Sequence, residues 1–185
     1  MGASRIANVT AAWLCGFGVG AGRAQGETGE GSEADAVATL FDDTLWIAAG
    51  GAAASSTAGA ARRIDVASAR RDFVSGLARA IVDARAERVV VMPVEASASG
   101  AELALALVAW PERAVVVVDE GAEAPFCSIH RRAELLERAR AALDETRPVP
   151  SLASFLSGLD VERLSPSRLG LDEGPIAIPT AGGGR

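Results

Sequence analysis

The sequence contains no lysine and no tyrosine, only two cysteines and only one histidine. Two cysteines cannot build a disulfide scaffold or a four-cysteine zinc site, and a single histidine excludes a histidine-rich metal centre. Aromatic residues make up only 4% of the chain, which argues against a base-stacking surface for single-stranded nucleic acid. No apolar run reaches the length of about 18 residues that a membrane-spanning helix needs.

The charge of the chain is acidic, because 24 Asp and Glu face 18 arginines and leave a net charge of -6. Without a basic run, the chain is not expected to bind the phosphate backbone of DNA or RNA. The length of 185 residues and the hydrophobic share of 49% are typical of one globular domain with its own core. We therefore expect a cytoplasmic protein with neither a nucleic-acid nor a membrane partner.

The N-terminus leaves a second localisation open. Arg5 precedes a mostly small and apolar stretch, and Gly22-Arg23-Ala24 resembles a small-x-small cleavage site. If residues 1–24 were a secretory signal, the chain would be an exported α/β binding protein. Polar residues and glycines interrupt the apolar stretch, which favours the cytoplasmic alternative.

Apolar runs alternate with segments of helical periodicity along the chain. Residues 89–92 and 115–118 are apolar throughout, which is typical of strands covered on both faces. This alternation predicts an α/β fold in three layers, α/β/α, around a mainly parallel sheet. Strands are predicted at 8–15, 44–49, 63–66, 88–92, 114–118, 126–129 and 160–164, and helices from Ser32 and at 69–86, 100–109, 131–145 and 151–157.

The chain is expected to form one domain over residues 1–170. Within it, residues 23–32 are polar, contain glycine and show no periodicity, which predicts a mobile loop. Residues 50–60 consist only of Ala, Gly, Ser and Thr, as in a low-complexity connection. Residues 171–185 form an irregular, glycine-rich tail.

Several reactive side chains are interpreted as structural. His130 has no recognisable orienting partner, which argues against acid–base catalysis. Cys15 and Cys127 lie in apolar strands, which predicts buried and inert thiols. A solvated helix face is predicted where arginines alternate with glutamates, at Arg131, Arg132, Glu134, Glu137, Arg138 and Arg140.

Two loops carry the candidate chemistry, because ligands of α/β folds bind beyond the carboxyl ends of strands. Residues 16–22 are glycine-rich, and glycines let backbone N–H groups approach an anion. Their spacing matches neither the dinucleotide-binding nor the P-loop pattern. Glu95 follows the strand 88–92, where a carboxylate can hold a Mg²⁺ that bridges nucleotide phosphates. A plain surface loop and a solvated glutamate are the alternatives.

Several segments resemble the MobA-like molybdenum-cofactor guanylyltransferase family in order and spacing. Residues 85–95 resemble the family's central strand, which ends in Pro-Cys-Asp, and 125–132 resemble its Pro-Leu-x-Ala-Leu-Tyr-Arg-Arg stretch. Residues 9–16 resemble the first strand, which runs into a Gly-Gly signature loop, and 72–77 take the place of Gly-Pro-Leu-Ala-Gly. The resemblance covers most of the chain in patches and is strongest from 76 to 165.

The resemblance implies a nucleotide-diphospho-sugar-transferase-like fold and the transfer of GMP from GTP to molybdopterin. It implies Mg²⁺ as the cofactor, held by Glu95 in place of the family's aspartate, and a catalytic role for Arg23. The nucleotide would be held at the end of the first strand and by the glycines after it, namely Leu14, Cys15, Gly16, Gly18, Gly20 and Gly22.

The chain departs from the family pattern where catalysis depends on it. Phe17 replaces the second glycine, and Arg23 is the cation nearest to the place of the missing signature lysine. Glu95 shifts the metal-binding carboxylate by one methylene. Since losing one charge-stabilising donor costs on the order of 10²–10³ in rate, impaired catalysis is expected. The alternative is a catalytically silent relative that binds a nucleotide, a molybdoenzyme or another maturation partner.

Overall fold

The computed structural model describes residues 6–15, 17, 39–49, 61–66, 72–93, 100–110, 114–117, 127–165 and 168. No helix within these ranges is long and apolar enough to cross a membrane. Four features predicted from the sequence lie outside them: the loop 23–32, the helix beginning at Ser32, the connection 50–60 and the tail 171–185. The single domain over 1–170 likewise stays a prediction.

The described strands and helices follow the predicted order, and each predicted strand overlaps an observed one. The strands are β1 (Ile6–Cys15), β2 (Phe41–Ala49), β3 (Arg62–Val66), β4 (Arg88–Pro93), β5 (Ala114–Val117), β6 (Cys127–Arg131) and β7 (Val161–Leu164). The helices are α1 (Phe73–Asp83), α2 (Gly100–Ala109), α3 (Arg132–Ala142) and α4 (Leu152–Phe155).

The described strands form one sheet in the order β3-β2-β1-β4-β6-β5-β7. The pairs β1–β2, β1–β4, β2–β3 and β5–β7 are parallel, whereas β6 runs antiparallel to both β4 and β5. The predicted mainly parallel sheet is therefore confirmed, and β6 is its antiparallel member. The sequence did not reveal the reversal at β6, since an apolar run reads the same in either direction.

The sheet separates two apolar clusters, because successive side chains of a strand point to opposite faces. Helices α1 and α3 cover one face and α2 packs on the other, so the predicted three layers are present. The first face includes Ala12, Leu14, Leu45, Ile47, Val89 and Val91, and the second includes Ala11, Trp13, Trp46, Ala48, Val90 and Met92.

β1 lies inside the sheet and pairs with a strand on each side. Its residues from Val9 to Leu14 are all buried. The alternative expectation that residues 1–24 are a cleaved signal conflicts with this position. Cleavage would remove β1 and expose the backbone hydrogen-bonding groups of both neighbouring strands. The position of β1 in the sheet therefore argues against cleavage after residue 24.

Asp43 links several elements at the amino edge of the sheet. Its Oδ2 accepts hydrogen bonds from Thr10 Oγ1 at 2.7 Å and from the backbone N–H of Arg85 at 3.1 Å. Its Oδ1 accepts from Arg62 Nη2 at 2.9 Å, and the same nitrogen donates to the carbonyl of Asp83. Burial acts to raise the pKa of Asp43, but the hydrogen bonds from Thr10, Arg85 and Arg62 outweigh burial and lower it. The ionised carboxylate thus joins β1, β2, β3 and the end of α1.

Arginines also close the C-termini of helices, where the last carbonyl groups lack partners within the helix. Arg132 Nε donates to the carbonyl of Ile81 in α1 at 3.1 Å. Arg88 Nη1 donates to the carbonyl of Val108 in α2 at 3.1 Å. A positive charge at a helix C-terminus also opposes the negative end of the helix dipole. The end of α1 is thus tied to the first residue of α3, and the end of α2 is tied to β4.

The predicted solvated arginine face of α3 is only partly correct. Arg140 is exposed and pairs with Glu137 at 2.6 Å, as predicted. Arg138 instead donates from Nη1 to the carbonyl of Phe155 at 2.9 Å and so fastens α4 to α3. Arg132 is likewise engaged with backbone carbonyls. The repeat of charges showed exposure but not these contacts, which join residues distant in sequence.

We expect Arg132→Lys to lower the free energy of unfolding by about 1 kcal/mol. A lysine ammonium cannot reproduce the two guanidinium donors that reach the carbonyls of Ile81 and Val82. Urea unfolding measures the loss. Arg140→Lys is the matched control, and its exposed ion pair predicts a change below about 0.5 kcal/mol. Equal losses in the two variants would show that the guanidinium geometry of Arg132 adds nothing.

Candidate functional site

The carboxyl ends of β1 and β4 lie side by side inside the sheet. β4 pairs in parallel with β1, with Leu14 opposite Pro93. On the other side of β1, Cys15 lies opposite Ala48 of β2. The chain continues from β1 to β2 and β3 on one side, and β4 lies on the other, so the strand order reverses here. In open α/β sheets, ligands bind in the crevice at such a point.

Both loops predicted to carry the chemistry begin at this point. The glycine-rich segment 16–22 follows Cys15, and Glu95 follows Pro93 by two residues. Their starting points are about 4.8 Å apart, which is one strand spacing. The strands that precede the two loops therefore end next to each other, and the convergence of the loops themselves stays a prediction.

Two of the predicted site residues belong to the described part of the chain. The Leu14 side chain is fully buried on the face covered by α1, so Leu14 could reach a ligand only through its backbone. Cys15 is partly exposed at the end of β1, and it is therefore less buried than predicted. The others, namely Gly16, Gly18, Gly20, Gly22, Arg23 and Glu95, lie outside the described residues, and their roles stay predictions.

Gly76 allows α1 to pack closely against the end of β1. A Cβ at this position would lie 2.9 Å from Leu14 Cδ1 and 3.1 Å from the Phe17 ring. Glycine inside a helix costs about 1 kcal/mol relative to alanine, and this close approach explains its presence. Phe17 is 2% exposed, so its ring belongs to the core. In the sequence, Phe17 stands out only because it replaces a glycine of the family's signature loop. No local sequence pattern reveals its contact with Gly76.

The first turn of α1 lies at the same edge of the sheet, because α1 leads from the end of β3 back to the start of β4. Asp72 caps this turn. Its Oδ1 accepts from the N–H of Ser75 at 2.8 Å, and its Oδ2 accepts from Ser75 Oγ at 2.7 Å. The carboxylate occupies a helix end that otherwise attracts anions. We infer that this turn suits a hydroxyl, an amine or a cation better than a phosphate.

No metal cluster is visible in the described ranges, where no three His, Cys, Asp or Glu side chains are arranged to hold an ion. Glu95, the predicted metal ligand, lies outside these ranges.

His130 lies in β6 and is 1% exposed. Neither of its ring nitrogens has a hydrogen-bond partner among the described residues. Burial lowers the pKa of His130 to about 4, so the imidazole is neutral at pH 7. Its partner in the sheet is Val89, near the start of β4 and away from the strand ends that form the candidate site. These features agree with the predicted structural role.

Cys127, also in β6, is buried as predicted. Burial raises the pKa of its thiol far above the ordinary value, which leaves it protonated and unreactive.

An open groove of about 380 Å³ lies elsewhere, between α3 and α4. Arg138, Arg147, Pro148 and Phe155 contribute to its lining. No residue from the ends of β1 or β4 lines this groove, so it is separate from the candidate site.

No protein-family model and no curated protein matches the chain. Among solved structures, it is similar to the 2-C-methyl-D-erythritol 4-phosphate cytidylyltransferase from Thermus thermophilus, with 17% identity and a TM-score of 0.57. That alignment covers 86% of this chain and 95% of the other. The CMP:2-keto-3-deoxy-manno-octonic acid synthetase complexed with CTP is 9% identical with a TM-score of 0.57, over 85% of this chain and 89% of that one.

A third similar structure is the protein Rv0371C of Mycobacterium tuberculosis H37Rv, solved in complex with manganese. It is 17% identical with a TM-score of 0.57, over 85% of this chain and 88% of that one. At these identities the likeness shows the fold alone. The nucleotide-diphospho-sugar-transferase-like fold implied by the family resemblance is therefore confirmed. Neither of the two named enzymes is a molybdenum-cofactor guanylyltransferase.

We expect the stability of the protein to fall as the pH is lowered from about 6.5 to about 4. The unfolded chain gains a proton at the ordinary histidine pKa, whereas buried His130 resists protonation until about pH 4. The unfolding free energy changes by at most about 1.4 kcal/mol per pH unit for one such proton. Because the chain has one histidine, His130→Leu should flatten this slope in urea unfolding measured across the window.

Asp43 provides an internal control for this pH experiment. Its folded pKa is lowered, so its contribution is complete above the unfolded value near 3.8 and is lost only at lower pH. Asp43→Asn should therefore retain the slope between pH 6.5 and 4.5. An unchanged slope in His130→Leu would show that the imidazole titrates normally in the folded state.

Proposed function

We propose that the chain is a nucleotidyltransferase-type protein that binds a nucleoside triphosphate and a divalent metal ion at the carboxyl ends of β1 and β4. The pairing of Leu14 with Pro93 carries this proposal, because it starts the glycine-rich segment and the segment of Glu95 on neighbouring strands. The fold shared with two cytidylyltransferases supports it. By the family resemblance, the nucleotide is GTP and the acceptor is molybdopterin.

The residue types in the two segments suit such a ligand. Backbone N–H groups of Gly16, Gly18, Gly20 and Gly22 would face the phosphates. Glu95 supplies an oxygen ligand of the kind that Mg²⁺ and Mn²⁺ prefer. A metal ion held by Glu95 would supply positive charge that offsets the charge of the phosphates. The carboxylate of Asp72 at the neighbouring turn of α1 suits the hydroxyl or amine groups of the nucleoside better than its phosphates.

The proposed reaction is a displacement at the α-phosphorus of the nucleotide. A phosphate oxygen of the acceptor attacks, a new P–O bond forms, and the bond to the β-phosphate breaks so that pyrophosphate leaves. Catalysis of such a transfer depends on positioning and on neutralising the developing negative charge. Arg23 is the cation that we assign to the leaving pyrophosphate. Its planar guanidinium can bind two phosphate oxygens at once.

A second candidate is a silent relative that binds the nucleotide with little turnover and acts in the maturation of a molybdoenzyme. The presence of Phe17 in place of the family's second glycine favours it, since this substitution removes backbone freedom beside the proposed phosphate site. The complete lack of lysine favours it as well. Both candidates share nucleotide binding and differ in the release of pyrophosphate.

Nucleotide binding is tested by thermal unfolding with GTP or CTP, each with Mg²⁺ or Mn²⁺. A ligand at about 100 times its Kd should stabilise the fold by about 2.7 kcal/mol. Glu95→Gln should weaken the metal-dependent binding about tenfold or more, because a charged ligand is lost. Glu87→Gln is the matched control, since Glu87 is exposed just before β4, at the opposite edge of the sheet.

The outcomes separate the candidates. Stabilisation by GTP supports the guanylyltransferase assignment, and stabilisation by CTP alone transfers the proposal to a cytidylyl substrate. Pyrophosphate released on addition of molybdopterin identifies the enzyme, and binding without release identifies the silent relative. No stabilisation at millimolar concentration of either nucleotide would overturn the proposal.

A further inference from the structure

Phe17 is anchored in the core only two residues beyond the end of β1. The strand ends at Cys15, and the Phe17 side chain is already 2% exposed. Its ring packs against Gly76 of α1, where even a single added carbon would lie 3.1 Å away. The chain that leaves the sheet at the candidate site is therefore held by a side-chain contact after a single intervening residue.

This contact joins three elements at one place. Gly76 lies even closer to Leu14, whose Cδ1 would be 2.9 Å from an added Cβ. Leu14 in turn pairs with Pro93 at the end of β4. The first turns of α1, the end of β1 and the end of β4 are thus packed into a single unit. Displacing the ring of Phe17 would change how the chain leaves β1 relative to the other two elements.

We propose that Phe17 is a positioning residue for the nucleotide, an inference that rests on the proposed function. Seated on Gly76, its ring fixes the direction in which the chain leaves β1. It thereby sets the distance between a ligand held beyond β1 and the carboxylate supplied beyond β4. Phe17 does not contact the ligand itself, because its ring is buried. The chain after β1 is then ordered during folding, so less conformational entropy is lost when the ligand binds.

Phe41 offers a matched control on the opposite face of the sheet. It is the same residue type and is 1% exposed, so truncating either phenylalanine removes a similar buried area. Phe41 belongs to the cluster covered by α2, at the start of β2 and near the amino edge. Phe17→Ala and Phe41→Ala should therefore lower the melting temperature by comparable amounts. If the two variants then differ in ligand affinity, the cause is the location of the truncated side chain and not a general loss of stability.

The test measures the Kd of GTP and CTP with Mg²⁺, by calorimetry well below each melting temperature. Phe17→Ala should weaken binding about tenfold or more, because the exit from β1 is no longer fixed. Phe41→Ala should stay within about twofold of the wild type. Phe17→Leu keeps an apolar anchor and should give an intermediate loss. It also answers the question if Phe17→Ala fails to fold.

Gly76→Ala probes the same contact from the α1 side. The added methyl group pushes against the ring, so this variant should also bind nucleotide more weakly. Combined with Phe17→Leu it should lose less affinity than the sum of the single losses, since the smaller side chain leaves room for the methyl group. Additive losses would contradict a direct contact between the two positions.

The results distinguish a failure of the proposed function from a failure of the positioning role of Phe17. If the wild type binds neither nucleotide, both the proposed function and this inference are overturned. If the wild type binds but Phe17→Ala loses no more affinity than Phe41→Ala, the nucleotide site stands and Phe17 is merely a core residue. A loss confined to the Phe17 and Gly76 variants supports the positioning role.

Discussion

The parallel pairing of β1 with β2 on one side and β4 on the other is the constraint on which the fold and the site depend. It requires β1 to be buried on both faces, as its residues from Val9 to Leu14 are. It also places the ends of β1 and β4 together at the point where the strand order reverses. A candidate site formed by segments far apart in sequence follows from this one arrangement.

The two edges of the sheet serve different purposes. Helices such as α1 end at the amino edge, where the Asp43 network and Arg132 satisfy helix carbonyls and link neighbouring elements. The exclusive use of arginine suits this edge, because a guanidinium can reach two acceptors at once and an ammonium binds as a point charge. Because these contacts stabilise the fold at the amino edge, residues at the opposite edge can serve ligand binding. Asp72 is an exception, because its side chain stabilises the first turn of α1 at the edge where the ligand is proposed to bind.

Strand positions and the layer order could be predicted from the sequence, because continuous apolar runs such as 89–92 are typical of strands buried on both faces. The antiparallel direction of β6 could not, since direction depends on how the chain returns and not on side-chain pattern. The Asp43–Arg62 pair joins two residues that the sequence separates by 19 positions. The candidate site was predicted only as two loops, and the structure adds the register that makes their strands end together. Whether Arg23 and Glu95 meet there stays a prediction.

The position of Phe17 in the structure changes what the loss of the family's second glycine implies for activity. Along the sequence, a phenylalanine within a phosphate-binding loop obstructs the backbone and argues for lost activity. In the structure the ring of Phe17 is buried in the core beside Gly76 and is not presented to solvent where the chain leaves β1. The substitution therefore removes backbone freedom without blocking the edge of the sheet. A loop held by a side chain can remain competent to bind. The stronger argument for a silent protein is then the absence of lysine, whose charge Arg23 is proposed to replace.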